Sequence, residues 1–262
     1  MKRILPGTGM SANVVNRLLI RMKTTKDKVA IVTGAGRGIG RSVALELARC
    51  NVCVSLAART ESEMKAVRHE IEAAGGTARC FRTDMSSEAS IKRLVKATFE
   101  HYGRVDIVVN NAGMGLYGPL EKTTAADWDQ LMAVNARGPF LLCREALPFL
   151  RRHTRSVIVN IASVVAVKGY SNQAAYTASK HALLGMTKVL AKEVQKDGIR
   201  VHAICPGGVD TDMVRKARPD LKPAELIAPG EIAEIVRFLV SQNGNAAIDE
   251  IHVRRESAMP WA

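Results

Sequence analysis

The sequence predicts an α/β fold of the doubly wound kind, and three observations predict it. Short apolar runs rich in β-branched residues recur along the chain, segments of helical period separate them, and the first run breaks into a glycine turn that opens a helix. At 262 residues and 47% hydrophobic content, the chain is long enough to bury a sizeable core. No Pro/Gly/Ser-rich linker, internal repeat or low-complexity run divides it. We therefore read residues 28–262 as a single domain and residues 1–27 as a basic, loosely held N-terminal extension.

Val29 to Val32 is the first buried strand. The turn that follows, from Thr33 to Gly40, contains Gly34, Gly36, Gly38 and Gly40, residues that let the backbone bend sharply and approach a bound group closely. From Ser42 to Cys50 the period changes, with Val43, Leu47 and Cys50 on one helical face. A helix that opens out of such a turn presents unpaired N–H groups and the positive end of its dipole, a place for phosphate. The spacing Gly-x-Gly-x-x-Gly fails because Ile39 stands where the third glycine belongs, and no Gly-Lys-Ser/Thr follows.

Cys53 to Ala58 is the second strand, followed by Arg59 and a polar helix that runs through Glu72 and stops at Gly75-Gly76. A third strand, Arg79 to Asp84, ends in a carboxylate, with Met85 next. Ile91, Leu94, Val95 and Phe99 then share a helix face that Gly103 closes. The fourth strand, Val105 to Val109, runs into Asn110-Asn111-Ala112-Gly113. Asp127 to His153 reads as one helical region, bent near Gly138-Pro139, with Asn135 inside it.

The fifth strand, Ser156 to Ile161, leads to Ala162-Ser163 at its carboxyl end, where open parallel sheets bind ligands. Tyr176 and Lys180 follow in a helix, four residues apart and so on one face. Gly198 to Cys205 is the sixth strand and continues into Pro206-Gly207-Gly208-Val209-Asp210-Thr211. Asp212 to Ala228, polar and proline-containing, has the length of a short substrate lid. A helix from Pro229 to Gln242 and a strand from Ile251 to Arg254 complete the chain.

Thr33-Gly34-x-x-x-Gly38-x-Gly40, Asn110-Asn111-Ala112-Gly113, Asn135, Ser163 and Tyr176-x-x-x-Lys180 occur in this order, and together they resemble the short-chain dehydrogenase/reductase family over about Lys28 to Thr211. The resemblance implies a Rossmann-like sheet of seven parallel strands in the order 3-2-1-4-5-6-7. It implies hydride transfer between a nicotinamide cofactor and a carbonyl or secondary alcohol substrate, with Asn135, Ser163, Tyr176 and Lys180 as the catalytic set. Tyr176 would be the general acid and base, its phenol lowered by Lys180 and by the positive nicotinamide. Asn135 would hold a water linking Lys180 to solvent. Cofactor contacts would fall to Gly34, Arg37, Gly38, Ile39, Gly40, Arg59, Asp84, Met85, Asn111, Ala112, Gly113, Tyr176, Lys180, Pro206, Gly207, Val209 and Thr211, and no metal is expected.

Ala58 stands where NAD-preferring proteins carry an acidic residue for the ribose 2′-hydroxyl, and Arg37 and Arg59 flank the expected place of a 2′-phosphate, which selects NADP(H). The end of the chain departs from many family members, since Ile248-Asp249-Glu250-Ile251 replaces a Gly-Gly near the final strand, and this leaves the substrate open.

A net charge of +13 must be divided before it is interpreted. Lys2, Arg3, Arg17, Arg21, Lys23, Lys26 and Lys28 against Asp27 give +6 to residues 1–28, leaving +7 for the rest. Zinc-ligand spacing, RNA-binding aromatic motifs and arginine-rich repeats are missing, and aromatics are 4% of the chain, so nucleic acid is not the expected partner. The apolar piece from Val14 to Ile20 is too short and too interrupted by Arg17 for a membrane span. Five scattered cysteines read as reduced thiols of a cytoplasmic protein; Cys50 and Cys53 straddle a helix end and a strand, not the helix N-terminus that would activate a thiol. The family resemblance adds a homodimer or homotetramer. Two rival readings are a non-catalytic NADP-binding sensor of the same fold and a basic adaptor acting through residues 1–28.

Overall fold

The computed structural model describes Thr25 and residues 27–260. The expected extension lies outside the described residues, apart from Thr25 and Asp27. All five residues of β1 (Val29–Thr33) are buried, as an uninterrupted apolar run in the middle of a parallel sheet must be. After it come α1 (Gly38–Arg49), β2 (Cys53–Ala58), α2 (Glu61–Ala73), β3 (Ala78–Arg82), α3 (Glu88–Tyr102) and β4 (Ile107–Asn110). The second half contributes α4 (Ala125–Met132), a π-helical segment (Ala133–Arg137), α5 (Gly138–Leu150), β5 (Val157–Ile161) and α6 (Ala174–Val194). Finally β6 (Arg200–Pro206), α7 (Asp212–Ala217), α8 (Pro229–Ser241) and β7 (Glu250–Val253) follow.

The strands form one parallel sheet in the order β3-β2-β1-β4-β5-β6-β7, as expected for a doubly wound, Rossmann-like α/β fold. Alternation along each strand divides the core between the two faces. Ala30, Val32, Ile107, Val109, Val157 and Val159 pack towards α1, α2 and α8. Ile31, Val108 and Ile158 pack towards α3, α5 and α6.

Some polar groups inside this sheet are paired with one another, although Asn110 Oδ1 has no partner among the described residues. Asn110 donates to Asn160 Oδ1 (2.8 Å), and Asn160 donates to Thr187 Oγ1 (2.7 Å), linking β4, β5 and α6. At the opposite end, Asp106 is 1% exposed and accepts from Val29 N (2.8 Å) and from Arg104 Nε (2.8 Å) and Nη2 (2.7 Å). One residue before its strand begins, this carboxylate ties β4 to the start of β1; the strand starts at Ile107 rather than at Val105.

The helical region read as Asp127 to His153 runs from Ala125 to Leu150, and its irregularity near Gly138-Pro139 is a π segment that ends directly before Gly138. Pro139 sits in the first turn of α5, where a missing N–H is tolerated. Gly138 is fixed by contact: a Cβ there would lie 2.6 Å from the carbonyl oxygen of Met85. The glycine-turn helix begins at Gly38, four residues before the helical period becomes legible, because glycines carry no hydrophobic signal. The lid segment holds α7 and a short 3-10 turn at Pro223–Glu225.

Replacing Asp106 with Asn removes the charge behind three hydrogen bonds while keeping the shape, and should cost about 1.5–3 kcal/mol of folding free energy. Urea unfolding of the variant beside the parent protein measures this; an unchanged midpoint would show that the buried carboxylate is dispensable.

Candidate active site

The carboxyl ends of the strands gather most of the residues singled out by the sequence. Gly34 has a positive φ of 65° and sits against Asn111: a Cβ on it would lie 2.9 Å from Asn111 Nδ2. A Cβ on Gly40 would fall on the carbonyl oxygen of Gly34 and on the same amide, closer than real Cβ contacts come, so the first turn of α1 lies directly on the end of β1. The Asn111 amide donates to Thr33 O (2.9 Å), and Thr33 Oγ1 accepts from Asn111 N and Ala112 N (3.0 Å each). Small residues thus let the ends of β1 and β4 close on each other.

Arg37, the N-cap of α1, gives the helix no side-chain cap, and no acidic residue occupies the first turn. The helix end therefore offers open N–H groups at Gly38, Ile39 and Gly40 beside glycines that no side chain fills, which fits a pyrophosphate. Thr211 faces this turn, its Cγ2 3.0 Å from where a Gly38 Cβ would stand. Its hydroxyl caps α7 by accepting from Val214 N (3.4 Å) and donates to the carbonyl of the buried Val209 (3.3 Å). Pro206 ends β6, and Gly207 N donates to Val253 O (2.7 Å).

The adenosine-side residues are less closely assembled. Arg37 is paired with Asp212 (3.3 Å) and lies 3.9 Å from Glu63, with 68% of its side chain exposed. Arg59 is exposed and makes no ion pair among the described residues. Asp84 lies beyond the end of β3, where its carboxylate accepts from Ser86 N (2.9 Å) and Oγ (2.7 Å); these bonds hold it below the usual carboxylate range. Met85 is buried in the core face formed with α3 and α5.

Ser163, Tyr176 and Lys180 come together at β5 and α6. Ser163 is 8% exposed, its Oγ accepts from Val165 N (3.3 Å), and its side chain stands near the phenol of Tyr176. Tyr117 stacks at a tilt on Tyr176, ring centroids 6.0 Å apart. Lys180 lies one turn further along α6 and donates to Ile161 O (2.9 Å). Asn135 is fully buried in the π segment; its Oδ1 accepts from Met114 N (2.9 Å), and its Nδ2 donates to Met114 O (2.9 Å) and Ser179 Oγ (3.1 Å). Both amide hydrogens are used within the protein, so a water on this side chain would have only a lone pair of Oδ1. Gly113 lies beside both groups: a Cβ there would be 3.4 Å from Asn135 Oδ1 and 3.8 Å from Lys180 Nζ.

The electrostatics differ from the expectation in one respect. The Tyr176 phenol is pushed up, not down; burial is the largest cause and Tyr117 adds to it, while Ser163 opposes them. Burial lowers the Lys180 ammonium from 10.5 to about 8. At neutral pH the phenol is in its protonated form.

A cavity of about 1010 Å³ opens over Ser163 and Tyr176. Met213, Val214 and Leu221 of the lid segment line it, as anticipated from that segment's length. Other wall residues escaped the sequence reading: Tyr117, Lys168, Tyr170, His252 and, from the tail, Arg254, Arg255, Ala258, Met259 and Pro260. The tail has no periodicity and no motif, and only the pairing of β7 with β6 carries it to the cavity.

Residues 28–222 match the family model described as short chain dehydrogenase. A 3beta-hydroxysteroid dehydrogenase of Mediterraneibacter gnavus is 38% identical over 208 residues, spanning 78% of this chain and 75% of the relative. A levodione reductase of Leifsonia aquatica is 35% identical over 239 residues, spanning 84% and 89%. Among solved structures, a metagenomic short-chain oxidoreductase in complex with NADP superposes with a TM-score of 0.79 at 34% identity, covering 90% of this chain and all of that one.

Because its ammonium is depressed by burial, Lys180 disfavours folding below about pH 8, and that cost is relieved as pH rises towards its unfolded value of 10.5. The difference in unfolding free energy between the parent protein and Lys180→Met should therefore grow in favour of the parent between these limits, by at most ~1.4 kcal/mol per pH unit. Denaturant unfolding over that range measures it, and a flat difference would mean that the ammonium is not destabilised.

Proposed function

The chain belongs to the short-chain dehydrogenase family, and on that premise we propose that it is an oxidoreductase moving a hydride between NADP(H) and a carbonyl or secondary alcohol of a small molecule. One observation carries the reading: Ser163 and Tyr176 line the same cavity, and Lys180 stands one turn of α6 behind Tyr176, its ammonium 5.9 Å from the centre of that ring. Bound nicotinamide supplies or accepts the hydride. The remaining work belongs to the side chains.

Tyr176 gives its phenolic proton to the substrate oxygen in the direction of reduction, starting from the protonated form that a phenol holds at neutral pH. Ser163 hydrogen-bonds the same oxygen, where negative charge develops. Lys180, held by Ile161 O, stands one turn away to stabilise phenolate when the reaction runs towards the ketone. Asn135 acts as a positioning residue, pinning Met114 to Ser179 so that the loop after Gly113 keeps its place against Lys180.

NADP(H) is the cofactor this reading selects. Ala58 removes the carboxylate that would repel a 2′-phosphate, Arg59 has no competing acid partner among the described residues, and Arg37 can exchange Asp212 for the phosphate. The solved metagenomic relative holds NADP, which supports the choice. Glu63 near Arg37 works against it and makes Arg59 the stronger of the two contacts.

Tyr176→Phe should leave NADPH binding intact, read by cofactor fluorescence, while slowing ketone reduction roughly 100- to 10,000-fold; near-normal turnover would remove Tyr176 from the chemistry. Ala58→Asp combined with Arg59→Leu should weaken NADPH at least about tenfold more than NADH. A parent protein inhibited equally by 2′,5′-ADP and 5′-AMP would mean that neither arginine meets a phosphate.

A further inference from the structure

The cavity wall carries Lys168, Arg218, His252, Arg254 and Arg255, and no Asp or Glu among its described lining residues. Three of these cations are already answered. Arg218 closes its fork on Asp220 (2.8 and 2.6 Å), and His252 Nε2 lies 2.8 Å from Glu250. Arg254 donates to the carbonyls of Arg255, Glu256 and Ala258, which curls the tail back on itself.

Lys168 and Arg255 are left over. Both are half-buried, and neither makes an ion pair or a side-chain hydrogen bond among the described residues. Their placement ties them to the chemistry. Lys168 follows Ser163 by five residues, just past the short 3-10 turn of Val164–Ala166. The Arg255 stem packs on the chain beyond Gly207: a Cβ on Gly208 would be 3.4 Å from its Cδ. Around them the wall is apolar, with Val164, Val167, Met213, Leu221 and Met259. A half-buried cation above a low-dielectric wall attracts an anion more strongly than one in open solvent.

We propose that the substrate is a carbonyl compound with an apolar body and one anionic group, a carboxylate or a phosphate, received by Lys168 and Arg255. The proposal rests on the oxidoreductase reading and sharpens it: the apolar wall takes the body, Ser163 and Tyr176 take the carbonyl oxygen, and the two cations fix which end enters first. A neutral ketone of the same size gains the apolar contacts alone.

The test compares 9-oxodecanoate with its methyl ester, measured with saturating NADPH. The acid should exceed the ester at least about tenfold in kcat/KM, the order expected of one charge-assisted contact. Lys168→Met and Arg255→Met should each lower that ratio about tenfold, and Lys168→Arg should retain it. A ratio near one in the parent protein, or a ratio that neither variant changes, overturns the proposal while leaving the oxidoreductase reading in place. If neither compound is reduced, that reading fails. Calorimetric titration of the acid and the ester into NADP-saturated protein then decides the anion site by itself: preference for the acid, lost in both variants, supports it, and equal binding overturns it.

Discussion

A methyl group on Gly40 would collide at once with the carbonyl of Gly34 and the amide of Asn111, and the rest of the site depends on that contact. It brings the first turn of α1 down onto the end of β1, leaving the helix N–H groups open to a ligand instead of covered by side chains. The same amide ties β1 to β4 through Thr33. One close approach of backbones thus sets both the glycine turn and the start of the Asn-Ala-Gly loop that passes Lys180.

From there a polar thread runs into α6, the helix that carries Tyr176 and Lys180. Met114 is held by Asn135, Asn135 by Ser179, and Ser179 donates to the carbonyl of Tyr176 (2.7 Å). In parallel, Asn110, Asn160 and Thr187 join β4 and β5 to α6 deeper in the core. Buried amides are costly to leave unpaired, so the bonds these make favour one relative placement of sheet and helix. Tyr176 and Lys180 are therefore positioned by the core, while the cavity facing them is built from the lid and the tail.

The sequence carried the sheet almost whole, because parallel strands buried on both faces read as unbroken apolar runs and their glycines and asparagines punctuate them. Asn135 was legible only as a polar residue in an apolar helix; the π turn that aims it has no compositional mark. Arg37 was legible as a cation near a phosphate place, but its ion pair with Asp212 depends on a lid that is distant in sequence. Lys180 looked like a partner that would lower the tyrosine, whereas burial acts on both groups and moves them towards their neutral forms. The tail from Arg254 was unreadable, since its meaning arises only when β7 pairs beside β6.

The π segment at Ala133–Arg137 has a consequence for how this helix can change over time. A π turn accommodates one residue more than a regular helix, and each residue rotates a helix by about 100°. Deleting any residue there would restore ideal hydrogen bonding and swing Asn135 away from Met114 and Ser179. Chain length in this stretch is then under tighter selection than most side-chain identities, so substitutions should accumulate around Asn135 in a lineage where insertions and deletions do not.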